Sequence, residues 1–98
     1  MERLSATIIT RNEEKNIGRC LEALKGVADE IIVVDSYSTD RTLDICRRYG
    51  CKITNREFQG FGSQRQYATG LTTNSYVLSI DADEVLDDEM RDFLIHLK

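Results

Sequence analysis

The sequence predicts an α/β protein: a doubly wound, mostly parallel sheet with helices on both faces. Strand-like and helix-like stretches alternate from one end of the chain to the other, a pattern that builds a parallel sheet through crossover helices. The runs Ile31–Val34 and Tyr76–Ile80 are almost continuously apolar, as expected of strands covered on both sides. Both runs stop abruptly in aspartate, Asp35 and Asp81, and in open α/β sheets the carboxyl ends of the strands are where ligands bind.

The first strand reads as Leu4–Thr10, β-rich and mostly apolar. The polar turn Arg11–Asn16 offers Asn12 as a helix cap, and Ile17, Cys20, Leu21 and Leu24 follow at helical spacing up to Gly26. Glu30–Asp35 is the second strand. After the turn Ser36–Asp40, a helix carries Leu43, Cys46 and Tyr49 on one face and closes at Gly50. Cys51–Asn55 is a short third strand, less apolar and therefore nearer an edge. The glycine-rich loop Phe58–Gly62 leads to Ser63, a candidate cap for a helix from Gln64 to about Leu71. A polar loop, Thr72–Ser75, precedes the fourth strand at Tyr76–Ile80. Asp87 or Asp88 caps a last helix whose apolar side is Met90, Phe93, Leu94 and Leu97. In this topology the first strand lies between the second and the fourth.

At 98 residues the chain is expected to be a single domain (1–98), and 41% hydrophobic with 31% charged residues excludes a disordered chain. No apolar run reaches membrane-spanning length, and the first residues lack the apolar core of a signal peptide. A net charge of −4 gives no reason to expect nucleic acid. Seven of the seventeen acidic residues fall between Asp81 and Asp92, so the acidity gathers around the fourth strand's turn. Cys20, Cys46 and Cys51 have no metal-ligand spacing and read as small buried hydrophobes in a reducing compartment. His96 reads as a surface residue.

Three loops converge on one edge of such a sheet: Arg11–Glu14, Asp35–Asp40 and Asp81–Glu84, with Gly60–Arg65 nearby. Asp81 and Asp83, one residue apart on a turn, can share Mg²⁺ or Mn²⁺, cations that favour oxygen and are often completed by substrate phosphates. The alternative for the same residues is a solvated acidic turn that caps the next helix. Asp35 can accept a hydrogen bond from a base or ribose, or cap the helix that begins near Asp40. Arg11 can neutralise phosphate charge, or pair with Glu13 or Glu14.

Taken together, T-I-I-T-R-N-E-E (Thr7–Glu14), V-V-D-S-Y-S-T-D-R-T (Val33–Thr42) and L-S-I-D-A-D-E (Leu78–Glu84) resemble the motifs of the family 2 glycosyltransferases, in order and over essentially the whole chain. Ser36 stands where that family's motif has a second acidic residue, and Tyr37 where it has glycine. Phe58–Ala68, F-Q-G-F-G-S-Q-R-Q-Y-A, is similar to the bacterial lipopolysaccharide-core glucosyltransferases. The resemblance implies the N-terminal half of a GT-A, Rossmann-like fold. It implies Asp35 at the nucleotide base; Thr10, Arg11 and Glu13 lining the nucleotide pocket with Asp81; Arg65 near the diphosphate; and Asp83 on Mg²⁺ or Mn²⁺ with Asp81 beside it. The implied donor is a nucleoside diphosphate sugar, a UDP-sugar first, and the acceptor a glycan or glycolipid. The implied setting is the cytoplasm, at the inner membrane's cytoplasmic face, with peripheral association of a longer protein. The family's general base comes from a later region, so it is expected beyond Lys98, with Glu84 the only nearby candidate.

Two other classes fit parts of the pattern. Ile80–Leu86, I-D-A-D-E-V-L, is similar to the nucleophile loop of haloacid-dehalogenase phosphatases, with Asp81 as nucleophile. That loop normally opens its domain, whereas here three strand–helix units precede it. A non-catalytic α/β binding module with an acidic metal pocket is the third.

Overall fold

The computed structural model of the chain describes residues 2–98. Strands and helices alternate throughout: β1 (Leu4–Thr10), α1 (Ile17–Leu24), β2 (Glu30–Asp35), α2 (Thr42–Arg48), β3 (Lys52–Asn55), α3 (Phe61–Gly70), β4 (Tyr76–Ser79) and α4 (Asp88–Leu97). The sheet order is β3-β2-β1-β4 and every pairing is parallel. The strand that starts the chain thus lies between β2 and β4, as the sequence predicts. Thr10 is in register with Asp35, so the loops after β1 and β2 leave the sheet at the same height.

One face of the sheet is covered by α1 and α2. There Ala6, Ile8 and Val33 meet Ile17, Cys20, Leu21, Leu24 and Cys46, all fully buried. The opposite face holds a smaller cluster, Ile32 and Val34 against Ala68 of α3. Helices therefore lie on both faces, and β2 is buried from Ile32 to Asp35. Cys20 and Cys46 serve as core residues, and Cys51 is half-buried with a free thiol.

The structure corrects four local expectations. Asn12 does not cap α1, which begins only at Ile17; its carbonyl Oδ1 accepts instead from the backbone N–H of Thr39, 2.8 Å away on the neighbouring loop. α3 starts at Phe61 rather than after Ser63, because Gly60 turns the chain at φ 105°, a conformation that a side chain would disfavour. β4 alternates half-buried with exposed residues, Val77 being 40% exposed, since it is the outer strand and α3 shields β1 and β2 instead. Of the expected apolar side of α4 only Leu94 is buried; it packs with Leu4 and Val27, while Met90, Phe93 and Leu97 remain exposed. Asp87 caps α4, accepting from the backbone N–H of Met90 at 2.7 Å.

At the amino end of the sheet, Glu30 ties three segments together. Its carboxylate accepts from Lys52 Nζ at 2.6 Å, Ser5 Oγ at 2.7 Å and the Thr73 N–H at 2.9 Å. The ammonium of Lys52, then the Ser5 hydroxyl, lower its pKa to about 2, below the usual carboxylate value of 4.5. A carboxyl group with a depressed folded-state value stabilises fully above pH 4.5, and that contribution disappears as the pH falls towards 2. Glu30→Gln is expected to destabilise the chain by about 1.5–3 kcal/mol at pH 7, the worth of hydrogen bonds to a charged group. It should also flatten the loss of stability below pH 4.5. Urea melts of the two proteins across that range check both.

Candidate nucleotide-sugar pocket

The loop after β1 and the loop after β2 are joined by side chains. Asp35 is fully buried at the end of β2, yet every contact it needs is supplied: Oδ1 accepts from Thr10 Oγ1 and Ser38 Oγ, each at 2.6 Å, and Oδ2 from the Ser38 N–H at 2.7 Å. A buried carboxylate is tolerated only when hydrogen-bonded in this way. Ser38 Oγ in turn accepts from the Asn12 N–H at 2.8 Å. The next two amides of the first loop follow suit, Glu13 N–H on Thr42 Oγ1 at 2.8 Å and Glu14 N–H on Asp40 Oδ2 at 3.2 Å. Just before α2, Asp40 Oδ1 accepts from the Thr42 N–H at 2.9 Å. Both residues of the loops that take positive φ are held here, Asn12 at 53° and Tyr37 at 55°. Left-handed backbone costs a tyrosine about 1–2 kcal/mol, so Tyr37 keeps by surrounding bonds a conformation that glycine adopts freely.

The third loop is fastened differently. Asp81 and Glu84 close a turn reciprocally: the Asp81 N–H donates to Glu84 Oε1 at 2.8 Å, and the Glu84 N–H to the Asp81 carbonyl at 2.9 Å. The half-exposed carboxylate of Asp81 meets Arg65 Nη2 of α3 at 3.2 Å. Beneath the turn lies Cys20, whose thiol burial and then the charge of Glu84 push up to about 12, so it stays protonated. The Asp83 side chain is exposed and, among the described residues, has no hydrogen-bond or ion-pair partner.

These loops and the start of α3 enclose an open cavity of about 620 Å³, within the size range of small-molecule sites. Of the residues singled out from sequence, Thr10, Arg11, Glu13, Arg65, Asp81 and Asp83 line it. Asp35 does not; it lies behind Thr10 as the wall's support. Ser36, Phe58, Phe61 and Gln64 also line it, although none of them was singled out as a site residue from sequence. The two phenylalanines pack edge to face, ring centres 5.0 Å apart, with the Arg65 guanidinium 5.8 Å from the ring of Phe61. Gln64 had a signal, a polar residue one helical turn before the buried Ala68. Among the described residues no three His, Cys, Asp or Glu side chains form a metal cage. Two oxygen donors on an open turn suit Mg²⁺ or Mn²⁺ all the same, because those cations keep waters or take phosphate oxygens for the remaining positions.

A parallel sheet with this strand order and a pocket at its carboxyl edge is the arrangement of doubly wound nucleotide-binding folds, and solved glycosyltransferases share it. The crystal structure of S. aureus TarS (residues 1–349) superposes with a TM-score of 0.80 at 30% identity, over 93% of this chain and 30% of that one. Glucosyl-3-phosphoglycerate synthase from Mycobacterium tuberculosis, solved in complex with Mn²⁺, UDP and glucosyl-3-phosphoglycerate, gives 0.72 at 26% identity, over 83% of this chain and 33% of its own. Residues 5–92 match glycosyl transferase family 2, and the chain belongs to that family. An uncharacterized glycosyltransferase of Rickettsia felis is 44% identical over 94% of this chain and 32% of its own length. The lipopolysaccharide core biosynthesis glycosyltransferase LpsC of Rhizobium meliloti is 37% identical over 96% and 36% respectively. The chain thus spans about a third of the length of the curated relatives it matches. The family is one of sugar transferases, so the Asp-x-Asp turn at Asp81–Asp83 is not read as a phosphatase loop.

The Asp35 node gives a stability prediction. Asp35→Asn keeps the shape but turns one acceptor oxygen into a donor facing the Ser38 N–H or the two hydroxyls. It should cost about 1–3 kcal/mol, the penalty for an unsatisfied buried group. Chemical denaturation measures it.

Proposed function

We propose that this chain is the nucleotide-sugar-binding part of a metal-dependent glycosyltransferase, with a UDP-sugar as donor and a cell-envelope glycan or glycolipid as acceptor. The observation that carries this reading is the convergence of Thr10, Arg11, Glu13, Arg65, Asp81 and Asp83 on one cavity at the carboxyl edge of the sheet. UDP and Mn²⁺ are supported by the complex of the mycobacterial synthase, and the envelope acceptor by the similarity to LpsC. Among the described residues no helix is long and apolar enough to cross a membrane. In this reading the chain works from the cytoplasm, at the inner membrane's face, where a nucleotide-sugar donor and an envelope acceptor of the kind LpsC's name suggests would meet.

Each wall group has a task in this reading. Arg65 and Arg11 bring positive charge to the diphosphate, and Asp35 holds Thr10 in place behind the nucleoside. Asp83, with Asp81 beside it, would hold Mg²⁺ or Mn²⁺, which offsets charge developing on the leaving diphosphate. The base that takes the acceptor's proton is proposed to lie outside these 98 residues, supported by the engagement of the Glu84 carboxylate with the Asp81 N–H.

Two outcomes test the reading. Calorimetric titration with UDP should show tighter binding with Mn²⁺ than with EDTA, and Asp83→Ala should abolish the difference; an unchanged metal effect in that variant removes Asp83 from the site. Given a labelled UDP-sugar and acceptor, the 98-residue chain should hydrolyse the donor slowly at most, because a proton-transfer group is commonly worth about 10²–10⁴ in rate. Efficient transfer would place the base within the chain, with Glu84 the first to replace.

A further inference from the structure

A buried relay of side chains ends in the pocket wall. Gln64 is fully buried on α3, and both ends of its amide are engaged. Arg56 Nη1 donates to Oε1 at 2.6 Å, and Nε2 donates to Ser36 Oγ at 3.1 Å. A guanidinium carries only donors, so the amide oxygen must face Arg56 and the amide nitrogen must face Ser36. The usual ambiguity between the two ends of a glutamine is thereby removed. Arg56 is itself anchored: its guanidinium lies 4.7 Å from the ring centre of Tyr67, Nη1 reaches Ser63 Oγ at 3.3 Å, and its backbone N–H donates to the Asp35 carbonyl at 2.8 Å.

The polarity imposed on Gln64 passes to Ser36. Its hydroxyl oxygen accepts from the amide, and among the described residues nothing accepts its proton. Ser36 is only 7% exposed, and it lines the cavity. A hydroxyl normally turns to donate or accept as its partner requires. Here one lone pair is committed, and the unused proton belongs to a nearly buried group at the wall.

We infer that Ser36 donates its hydroxyl proton to an accepting oxygen of the bound nucleotide, with Gln64, held by Arg56, occupying one of its lone pairs and biasing it toward donation. This rests on the nucleotide reading of the pocket. The accepting oxygen belongs to a pyrimidine carbonyl or to the ribose; in both the chemistry is an oxygen lone pair.

Gln64→Glu separates this role from a structural one. Glutamate keeps the length and pairs with Arg56, but offers Ser36 only an acceptor, so the hydroxyl swings its proton inward and shows the pocket a lone pair. Calorimetry with UDP and Mn²⁺ should find binding weakened about 3–10-fold in both Ser36→Ala and Gln64→Glu, the worth of one net hydrogen bond. Gln64→Met leaves the hydroxyl free to rotate and should lose less affinity than Gln64→Glu, although it strips Arg56 of a partner. In 2′-deoxy-UDP, loss of the Ser36 dependence identifies the ribose 2′ oxygen, and its persistence a base carbonyl or another ribose oxygen. Equal UDP affinity in the wild type, Ser36→Ala and Gln64→Glu overturns the relay and leaves the nucleotide reading intact. So does a larger loss in Gln64→Met than in Gln64→Glu. If the wild type fails to bind UDP, the nucleotide reading falls, and the inference with it. Ser36→Ala removes a single oxygen and keeps the relay testable if a Gln64 variant does not fold.

Discussion

The site depends on the carboxylate of Asp35, fully buried at the end of a central strand and held by three donors. Through Ser38 it reaches the backbone of the first loop; through Thr10 it holds the end of β1. An isolated charge in that position would be costly. The threonine and serine that satisfy it convert the cost into a constraint, because both must be present and correctly turned for its oxygens to stay hydrogen-bonded. The loop conformations follow, including the left-handed Tyr37 and Asn12.

This division of labour explains why the parallel register matters. Thr10 opposite Asp35 is a sheet-level fact, set by the apolar pairs Ile8–Val33 and Ile9–Val34 further back. A slip of one residue would reverse every side chain and carry Thr10 away from the carboxylate. The core therefore fixes the site indirectly: Ile8 and Val33, packed beneath α1 and α2, hold the register that brings the polar groups together.

Much of this was legible in the sequence. Element order, strand order and the convergence of three acidic or polar turns follow from apolar runs ending in aspartate, and they reappear in the structure. What was illegible depended on distant partners. Asn12 has the composition of a helix cap, but its strongest acceptor role is towards Thr39, across a gap that local sequence does not encode. Ser63 likewise resembles a cap, yet the turn at Gly60 starts α3 earlier. Met90, Phe93 and Leu97 have helical spacing but stay exposed, since periodicity describes a face and not what covers it. Gln64 and Arg56 flank the glycine-rich loop, and only the fold shows that Gln64 links Arg56 to Ser36.

The ion pair between Arg65 and Asp81 has a consequence for how charge enters the pocket. Both side chains are about half exposed, at 47% and 53%, and they meet at 3.2 Å. Such a pair contributes on the order of 0–1 kcal/mol, so it separates readily. An anion that draws Arg65 away leaves Asp81 with a bare negative charge, and a cation that draws Asp81 away leaves Arg65 bare. Each event makes the other more favourable. Empty, the pocket is internally neutralised at this point; once occupied, it has reason to take opposite charges as a couple, and a salt-rich solution would weaken that linkage from both sides at once.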